Sequence, residues 1–362
     1  NTATNNITVW IEYPGDQNIN NNTLNTDIIG VSSIPTKRVV FEEATGTWCG
    51  WCPRGAVALE TLEYSYPNSA IGIAVHNGSS DPMVVPAYDN GMGTLISGYP
   101  SGLIDRASGD VDPGDFVSLY GQYLNKISPV DISAMASFDA TSRNIAIDLT
   151  ATFVTNLSGD YRFNAVILED GVGPHPQANY YGIGGPGNST SMISPPAGSN
   201  ASFNWNSAPS TATVMFDHVA RAILGGFEGT PSSIPGTVTS GTAYTQTYNH
   251  ILPSNQNESN VHVVGMVINN TTGEILNAIK VGFDTPSNIN EELKNSIQLF
   301  PNPVQDKLIV KGEYNSLKIF DIYGKLVLTS DYAKTINLEN LANGSYIVKI
   351  DNETIKKITI TK

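Results

Sequence analysis

Basic residues and long apolar runs are both scarce in this sequence of 362 residues. Lysine and arginine total 19 against 33 aspartates and glutamates, so the formal net charge is −14. That charge argues against nucleic-acid binding, because no basic face can offset the repulsion of the phosphates. No stretch approaches the 18 consecutive apolar residues of a membrane helix, so we expect no transmembrane segment.

Cysteine is rare as well: the chain has two, Cys49 and Cys52, spaced C-x-x-C. A disulfide between them would close almost no loop and would therefore stabilise the fold little. A structural zinc site needs four ligands, and no spacing near this pair supplies the others, so we expect neither a metal nor a cofactor. We interpret the two cysteines as a redox-active pair. An inert oxidised pair on a secreted domain is the alternative.

Residues that favour turns are abundant: the chain has 36 Asn, 33 Gly and 21 Pro. This composition is typical of a β-rich protein with many loops, and it suits a protein that works outside the cell. No signal peptide is visible at Asn1. Composition alone therefore leaves a secreted and a cytosolic protein both open.

Changes in residue pattern divide the chain into segments. Strand and helix patterns alternate early, and strands separated by Gly-, Asn- and Pro-rich turns follow, which is typical of an α/β domain and then a β-sandwich. The last 66 residues carry a net charge of +2 and the rest −16, a step that marks a domain boundary. The predicted segments are a strand-rich leader at 1–36, an α/β domain at 37–128, a β-sandwich at 129–283, a linker at 284–296 and a small all-β module at 297–362. We expect the strands of the leader to extend a neighbouring sheet.

The elements of these segments follow from apolar periodicity. Residues 171–206 are predicted to be a long loop, which either carries function or covers its neighbours. Predicted helices lie at 52–66, 88–96 and 112–127. Predicted strands lie at 7–13, 27–31, 38–43, 70–76, 101–105, 130–138, 144–153, 161–169, 212–219, 243–251, 261–269 and 274–283, and then at 297–300, 307–311, 316–321, 327–330, 334–337, 344–350 and 356–361.

An acidic cluster precedes the third predicted helix and comprises Asp110, Asp112 and Asp115. Asp112 suits the N-cap position, followed by Pro113 at the first helical position. This capping role explains the cluster better than a calcium-binding loop does.

The C-x-x-C pair follows a predicted strand and stands at the start of a predicted helix. A cysteine at a helix N-terminus meets the positive end of the helix dipole, which favours the thiolate. We therefore expect Cys49 to be the nucleophile. Cys52 lies one turn further on, where it can attack a mixed disulfide formed at Cys49.

The segment Trp48-Cys49-Gly50-Trp51-Cys52-Pro53 resembles the active site of the thioredoxin superfamily. The resemblance implies a buried acidic residue six positions before the nucleophile, where this chain has Glu43, and a cis-proline beside the disulfide, which Pro100 after Tyr99 matches. Glu43 would then accept the proton of the resolving thiol, and Tyr99 would offer backbone hydrogen bonds to a substrate. A strand-end carboxylate with a local hydrogen-bond partner is the alternative for Glu43.

A wider resemblance spans residues 37–283. The segments 43–53, 74–76, 81–83 and 98–100, followed by the hairpin at 263–278, are similar to a Bacteroidota outer-membrane-protein family with a thioredoxin-like domain and a following β domain. This resemblance implies the fold more than an activity.

The C-terminal module resembles the type A sorting domain of the type IX secretion system. The matching motifs occur in the right order at 299–303, 319–325, 340–349 and 356–362. The resemblance implies that the secretion machinery recognises residues 297–362 and that the protein is exported to the cell surface or released. It also implies that a signal peptide preceded Asn1.

Other residues near the motif have more than one interpretation. His76 ends a predicted strand and is either a site residue or a structural histidine, and Asp81 suits a turn. Trp48 and Trp51 either line a substrate groove or cap the loop. The remaining histidines are scattered without a pattern that predicts a nucleophile: His175, His218, His250 and His262.

Two functions follow from these observations. The first is a secreted, cell-surface thiol–disulfide oxidoreductase that acts on protein substrates through Cys49 and Cys52. The second is a non-catalytic surface protein, either an adhesin-like binding module or a subunit of an extracellular assembly.

Overall fold

The computed structural model describes residues 4–283, 298–312, 316–321, 326–350 and 354–362. The chain divides into two compact units, Asn1–Thr285 and Pro286–Lys362, and both are built mainly from β-strands. The predicted linker at 284–296 lies outside the described residues.

The first unit has sixteen described strands and three α-helices. The helices are α1 (Pro53–Ser65), α2 (Pro86–Met92) and α3 (Phe116–Leu124). The strands are β1 (Thr4–Trp10), β2 (Thr23–Ile29), β3 (Val39–Thr45), β4 (Ala70–His76), β5 (Ser101–Ile104), β6 (Val130–Asp139), β7 (Asn144–Phe153), β8 (Leu157–Ser158), β9 (Tyr161–Glu169), β10 (Val172–Ala178), β11 (Thr211–Phe216), β12 (Val219–Leu224), β13 (Thr237–Val238), β14 (Ala243–Ile251), β15 (Val261–Asn269) and β16 (Glu274–Val281). Short 3-10 helices lie at Ile19–Asn21, Pro113–Asp115, Trp205–Ser207 and Glu258–Asn260.

A seven-stranded sheet is the centre of this unit, in the order β16-β15-β9-β12-β4-β3-β5. Both β3 and β12 run parallel to β4, whereas β5 runs antiparallel to β3. Helices α1 and α3 pack on one face of β3 and β4, and α2 packs on the other. Because both faces are covered, every residue of β3 and β4 is buried.

At the other end of this sheet, a three-stranded sheet of order β14-β7-β6 faces β9 and β15 across an apolar core. The predicted α/β segment and the predicted β-sandwich therefore share one continuous sheet, in which β4 of the former pairs with β12 of the latter. The boundary at residue 128 stays a prediction.

Several predicted elements differ from the structure. The predicted strand 212–219 is two strands, because the backbone at His218 has a φ of 61° and leaves the extended region between β11 and β12. The predicted loop 171–206 contains β10, which pairs with β11. The third helix begins as a 3-10 turn capped by Asp112, whose carboxylate accepts the N–H of Gly114.

The leader forms a hairpin in which β1 and β2 pair with each other. We expected these strands to extend a neighbouring sheet, and that expectation was wrong for the described residues. Trp10, Ile11 and Leu24 are largely exposed on the hairpin.

The second unit has seven described strands in two sheets around one apolar core. The sheet orders are β17-β18-β21 and β20-β19-β22-β23. The strands are β17 (Gln298–Phe300), β18 (Lys307–Lys311), β19 (Ser316–Asp321), β20 (Leu326–Asp331), β21 (Thr335–Asn337), β22 (Gly344–Ile350) and β23 (Thr354–Ile360).

Candidate redox site at the start of helix α1

The C-x-x-C pair lies between β3 and α1. Cys49 and Cys52 form a disulfide with 5.4 Å between their Cα atoms. Cys52 occupies the N-cap position of α1 and Pro53 the first helical position, where its missing N–H costs no hydrogen bond. Both cysteines are buried, with exposed fractions of 4% and 1%.

Glu43 lies on β3 beneath the first turn of α1. A Cβ built on Gly55 would lie 2.1 Å from Oε1 of Glu43, so the glycine leaves the space that this carboxyl occupies. Oε1 has no hydrogen-bond partner, and the side chain is fully buried. Burial raises the pKa of Glu43 to about 8, although Thr45 and the charge of His218 oppose the increase. Glu43 is therefore protonated at neutral pH.

A cavity of about 30 Å³ adjoins the disulfide. Its volume is enough for one or two water molecules. Cys52 lines it, together with four buried polar residues that each leave at least one nitrogen or oxygen without a hydrogen-bond partner. These atoms are Oε1 of Glu43, Oε2 of Glu60, Nε2 of His76 and both ring nitrogens of His218. Unpartnered buried polar atoms around one space are typical of a water-filled cavity.

His76 reaches this cavity from the end of β4. Its Nδ1 lies 3.0 Å from Oδ2 of Asp81, which also accepts the backbone N–H of Thr47 at 2.7 Å. Burial would raise the pKa of Asp81, but His76 and the backbone N–H groups outweigh it and lower the pKa. Asp81 thus orients His76 and holds the loop before Cys49. The sequence predicted only a turn position for this residue.

Tyr99 and Pro100 lie beside the C-x-x-C loop, directly before β5. The peptide bond between them is cis, as the resemblance implied. The ring of Tyr99 meets the ring of Trp48 edge-on, with 5.4 Å between centroids. Trp48 is 49% exposed and donates its indole N–H to the carbonyl of Asn77. Trp48 and Tyr99 together form an aromatic surface next to the disulfide.

Residues 177–181, which we call the covering segment, pack against the same loop from β10 onward. The amide of Gln177 donates to the carbonyl of Cys49 at 2.9 Å, and the N–H of Tyr180 donates to the carbonyl of Gly50 at 2.8 Å. The ring of Trp51 meets the rings of Tyr180 and Tyr181 edge-on. These contacts explain why the disulfide is so little exposed.

The fold therefore brings together five residues of the predicted site: Glu43, Cys49, Cys52, His76 and Tyr99. Sequence reasoning missed Glu60 and His218. A signal for Glu60 was present, because Cys52, Ala56 and Glu60 are spaced four residues apart and so share one face of α1. His218 has no comparable local signal, since the pairing of β12 with β4 brings it to the cavity.

The fold, the buried disulfide and the all-β C-terminal unit define a β-rich protein built from two units. The family model described as "Outer membrane protein Omp28" matches residues 87–286, and the model described as "Secretion system C-terminal sorting domain" matches residues 298–361. Since the first match spans more than half of the chain, the chain belongs to the Omp28 family of outer membrane proteins. The resemblance to this family and to the sorting domain is confirmed, as is the predicted localisation. This is a cell-surface protein whose type IX sorting domain interacts with the secretion machinery.

Among solved structures, HBP35 of Porphyromonas gingivalis is 17% identical with a TM-score of 0.49, covering 91% of this chain and 99% of its own. Protein AGR_C_4864 of Agrobacterium tumefaciens is 13% identical with a TM-score of 0.38, covering 72% and 100%. A domain of the outer membrane lipoprotein Omp28 from P. gingivalis is 16% identical with a TM-score of 0.24, covering 44% and 90%. No curated protein sequence matches the chain. Among the described residues, no helix is long and apolar enough to cross a membrane.

Proposed function

We propose that this surface protein exchanges disulfides with protein substrates through Cys49 and Cys52. One observation carries the proposal: the unpartnered, buried carboxyl of Glu43 lines the same small cavity as Cys52. A structural disulfide has no need of a titratable group beside it, whereas a disulfide that opens and closes has to exchange a proton.

The arrangement of β3, α1, β4, α2, β5 and α3 supports a thioredoxin-like domain at residues 37–128. The two central strands are parallel, the third is antiparallel, and helices cover both faces. The C-x-x-C pair stands where the first strand meets the first helix. We propose this domain, followed by a β-sandwich domain at 129–283, as the organisation of the first unit.

The reaction can be written from the oxidised state. A substrate thiolate attacks Sγ of Cys49, and the Cys49–Cys52 bond breaks with its electron pair going to Cys52. Glu43 gives its proton to the Cys52 thiolate. A second substrate thiol, as its thiolate, attacks the substrate sulfur of the mixed disulfide, which frees Cys49. Two electrons reach the cysteine pair, and the substrate becomes a disulfide. The reverse sequence reduces a substrate disulfide.

The aromatic surface beside the disulfide fits this role. Tyr99 precedes Pro100 and β5, and its backbone is available at the edge where the sheet meets the C-x-x-C loop. An extended substrate segment would pair there with backbone groups while Trp48 contacts its side chains.

The covering segment favours the second function, a non-catalytic binding module or assembly subunit. Its contacts leave Cys49 only 4% exposed, so a protein thiolate would have to displace it before reaching the sulfur. In this case the disulfide is structural, and the surface loops carry the function.

The equilibrium redox potential of the pair in glutathione buffers separates the two functions. For an exchange protein we expect a value between about −270 and −120 mV, the range of thioredoxin-like proteins. The Cys49→Ser variant is the control, because it cannot form the bond. A pair that glutathione leaves fully oxidised throughout, below about −300 mV, would contradict the exchange function and support the binding module.

A further inference from the structure

The proton that Cys52 needs has no direct route from solvent. Cys52 and Glu43 are each 1% exposed, so neither can take a proton from bulk water. Each opening of the disulfide consumes one proton at Cys52, and each closing releases one. If the proposed exchange occurs, a path must therefore connect Glu43 to the surface.

A second, open pocket lies on the far side of the cavity. Its volume is about 360 Å³, and it shares Glu60, Asp217 and His218 with the lining of the cavity. Glu63 and Asp170 line the pocket but not the cavity. The shared residues therefore form the wall between Cys52 and solvent.

His218 spans this wall with its two ring nitrogens. Nδ1 lies 3.0 Å from Oε2 of Glu63 and 3.8 Å from Oδ1 of Asp170, both of which line the open pocket. Nδ1 makes no hydrogen bond of good geometry to either carboxylate, Nε2 is likewise buried without a partner, and the ring also lines the cavity. An imidazole can take up a proton at one nitrogen and release one from the other.

The charges around the ring favour a proton on it. Burial would lower the pKa of His218, but Glu63 and Asp170 outweigh burial and raise it. Burial would likewise raise the pKa of Glu63, yet His218 and Lys280 lower it to about 2. The imidazole thus lies between a carboxylate on the solvent side, which favours its protonated form, and a neutral carboxyl on the cysteine side.

We propose that His218, with Glu60 beside it, conducts protons between the open pocket and Glu43 through water in the cavity. The biological role of this proton path rests on the proposed exchange function, whereas the path itself is tested independently of a protein substrate. His218 would be a positioning and relay residue, since it acts on Cys52 through Glu43. It belongs to the segment that the Omp28 family model matches, whereas the cysteines precede that segment.

Other charged or titratable groups can influence Glu43 and have to be considered in any pH profile. They come from every element packed around the carboxyl. They are Arg54 and Glu60 on α1, His76 on β4 and His218 before β12, and the uncharged hydroxyl of Thr45 on β3 adds a hydrogen bond that lowers the pKa of Glu43.

The test is the rate at which dithiothreitol reduces the Cys49–Cys52 disulfide in the full chain, followed by tryptophan fluorescence from pH 6 to 9. Each rate is divided by the thiolate concentration. For the native protein we expect this normalised rate to be constant at lower pH and to fall above about pH 8, where Glu43 loses its proton. A normalised rate that stays constant up to pH 9 would overturn the role of Glu43 as proton donor.

Two variants at His218 test the relay. Asn tolerates the positive φ of this position and carries no titratable ring, so His218→Asn is expected to slow reduction at pH 7 at least tenfold. His218→Gly leaves a ring-sized space joined to the pocket, and we expect imidazole in the buffer to restore most of its rate. The matched control is His250→Asn on β14, which removes a histidine that does not line the cavity and should leave the rate unchanged.

A third variant covers the case in which His218 is needed for folding. Ala56→Leu fills the cavity with an apolar side chain and removes no titratable group, so it should also slow reduction without rescue by imidazole. Native rates in His218→Asn or in Ala56→Leu would overturn the relay. Because dithiothreitol replaces the protein substrate, this result is independent of the glutathione potential that decides the proposed function.

Discussion

Gly55 on α1 stands where only a residue without a side chain fits over Glu43. A Cβ at this position would lie 2.1 Å from Oε1 of Glu43 and 2.2 Å from its carboxyl carbon. The buried carboxyl and the glycine are therefore complementary, and the first turn of α1 lies closer to β3 than any other residue type would allow.

Gly55→Ala should destabilise the protein by about 1–3 kcal/mol, because the added methyl group would overlap with the carboxyl of Glu43 and force it to move. The free energy of unfolding from urea denaturation measures this change. Gly121→Ala is the matched control on α3, where a Cβ meets nothing within 4 Å. We expect that variant to gain up to about 1 kcal/mol from helix propensity. Equal effects of the two substitutions would contradict the close packing at Glu43.

The raised pKa of Glu43 predicts a pH dependence of stability. The group is protonated in the folded chain up to about pH 8, whereas its ordinary pKa is 4.5. The contribution of Glu43 to the free energy of unfolding is therefore fully present below about pH 4.5. It is lost as the pH rises to about 8, by about 1.4 kcal/mol per pH unit within that window. Glu43→Gln should remove this slope.

Urea denaturation at a series of pH values checks the prediction. The control is Glu12→Gln in the exposed leader, which should keep the slope of the native protein. If Glu43→Gln and the native protein lose stability in parallel between pH 5 and 8, Glu43 is ionised in the folded state and the interpretation of the site fails.

The covering segment predicts that reductants reach the disulfide slowly. Tyr180 lies against Gly50 and Trp51, so Tyr180→Ala should open the loop and speed reduction by a neutral phosphine several-fold. The reaction is followed by trapping free thiols over time. Tyr13→Ala, which removes an exposed tyrosine from the leader, should have no effect. An unchanged rate in Tyr180→Ala would show that this ring does not limit access.

A buried ion pair next to the site predicts a large loss of stability. Arg106 contacts both carboxylate oxygens of Glu42, and the hydroxyl of Tyr88 donates to the same carboxylate at 2.6 Å. Arg106→Leu leaves the Glu42 charge buried without its cation and should cost about 3–5 kcal/mol. Glu228→Gln removes the more exposed of the two carboxylate partners of Arg162 and should cost less than about 1 kcal/mol. Thermal unfolding of both variants compares the two; similar losses would contradict the burial argument.

Local patterns were enough to predict much of the cysteine site. The C-x-x-C pair, the strand before it and the helix after it are contiguous, so Cys49, Cys52 and the start of α1 follow from neighbouring residues. The family resemblance likewise indicated Glu43 and the cis bond before Pro100. The prediction of a single strand at 212–219 was wrong because apolar periodicity does not reveal the left-handed backbone conformation of His218.

The sequence by itself determined the β-rich composition, the export signal in the tail and the chemical groups of the site, because these depend on residue type and short spacing. Only the tertiary structure decided which distant residues enclose the disulfide. His218 reaches it because β12 pairs with β4 across more than a hundred residues, and Gln177 reaches it through a side-chain hydrogen bond to the distant carbonyl of Cys49. Such long-range contacts depend on the packing of the whole unit. Burial, and with it the pKa of Glu43, follows from that packing and from no local pattern.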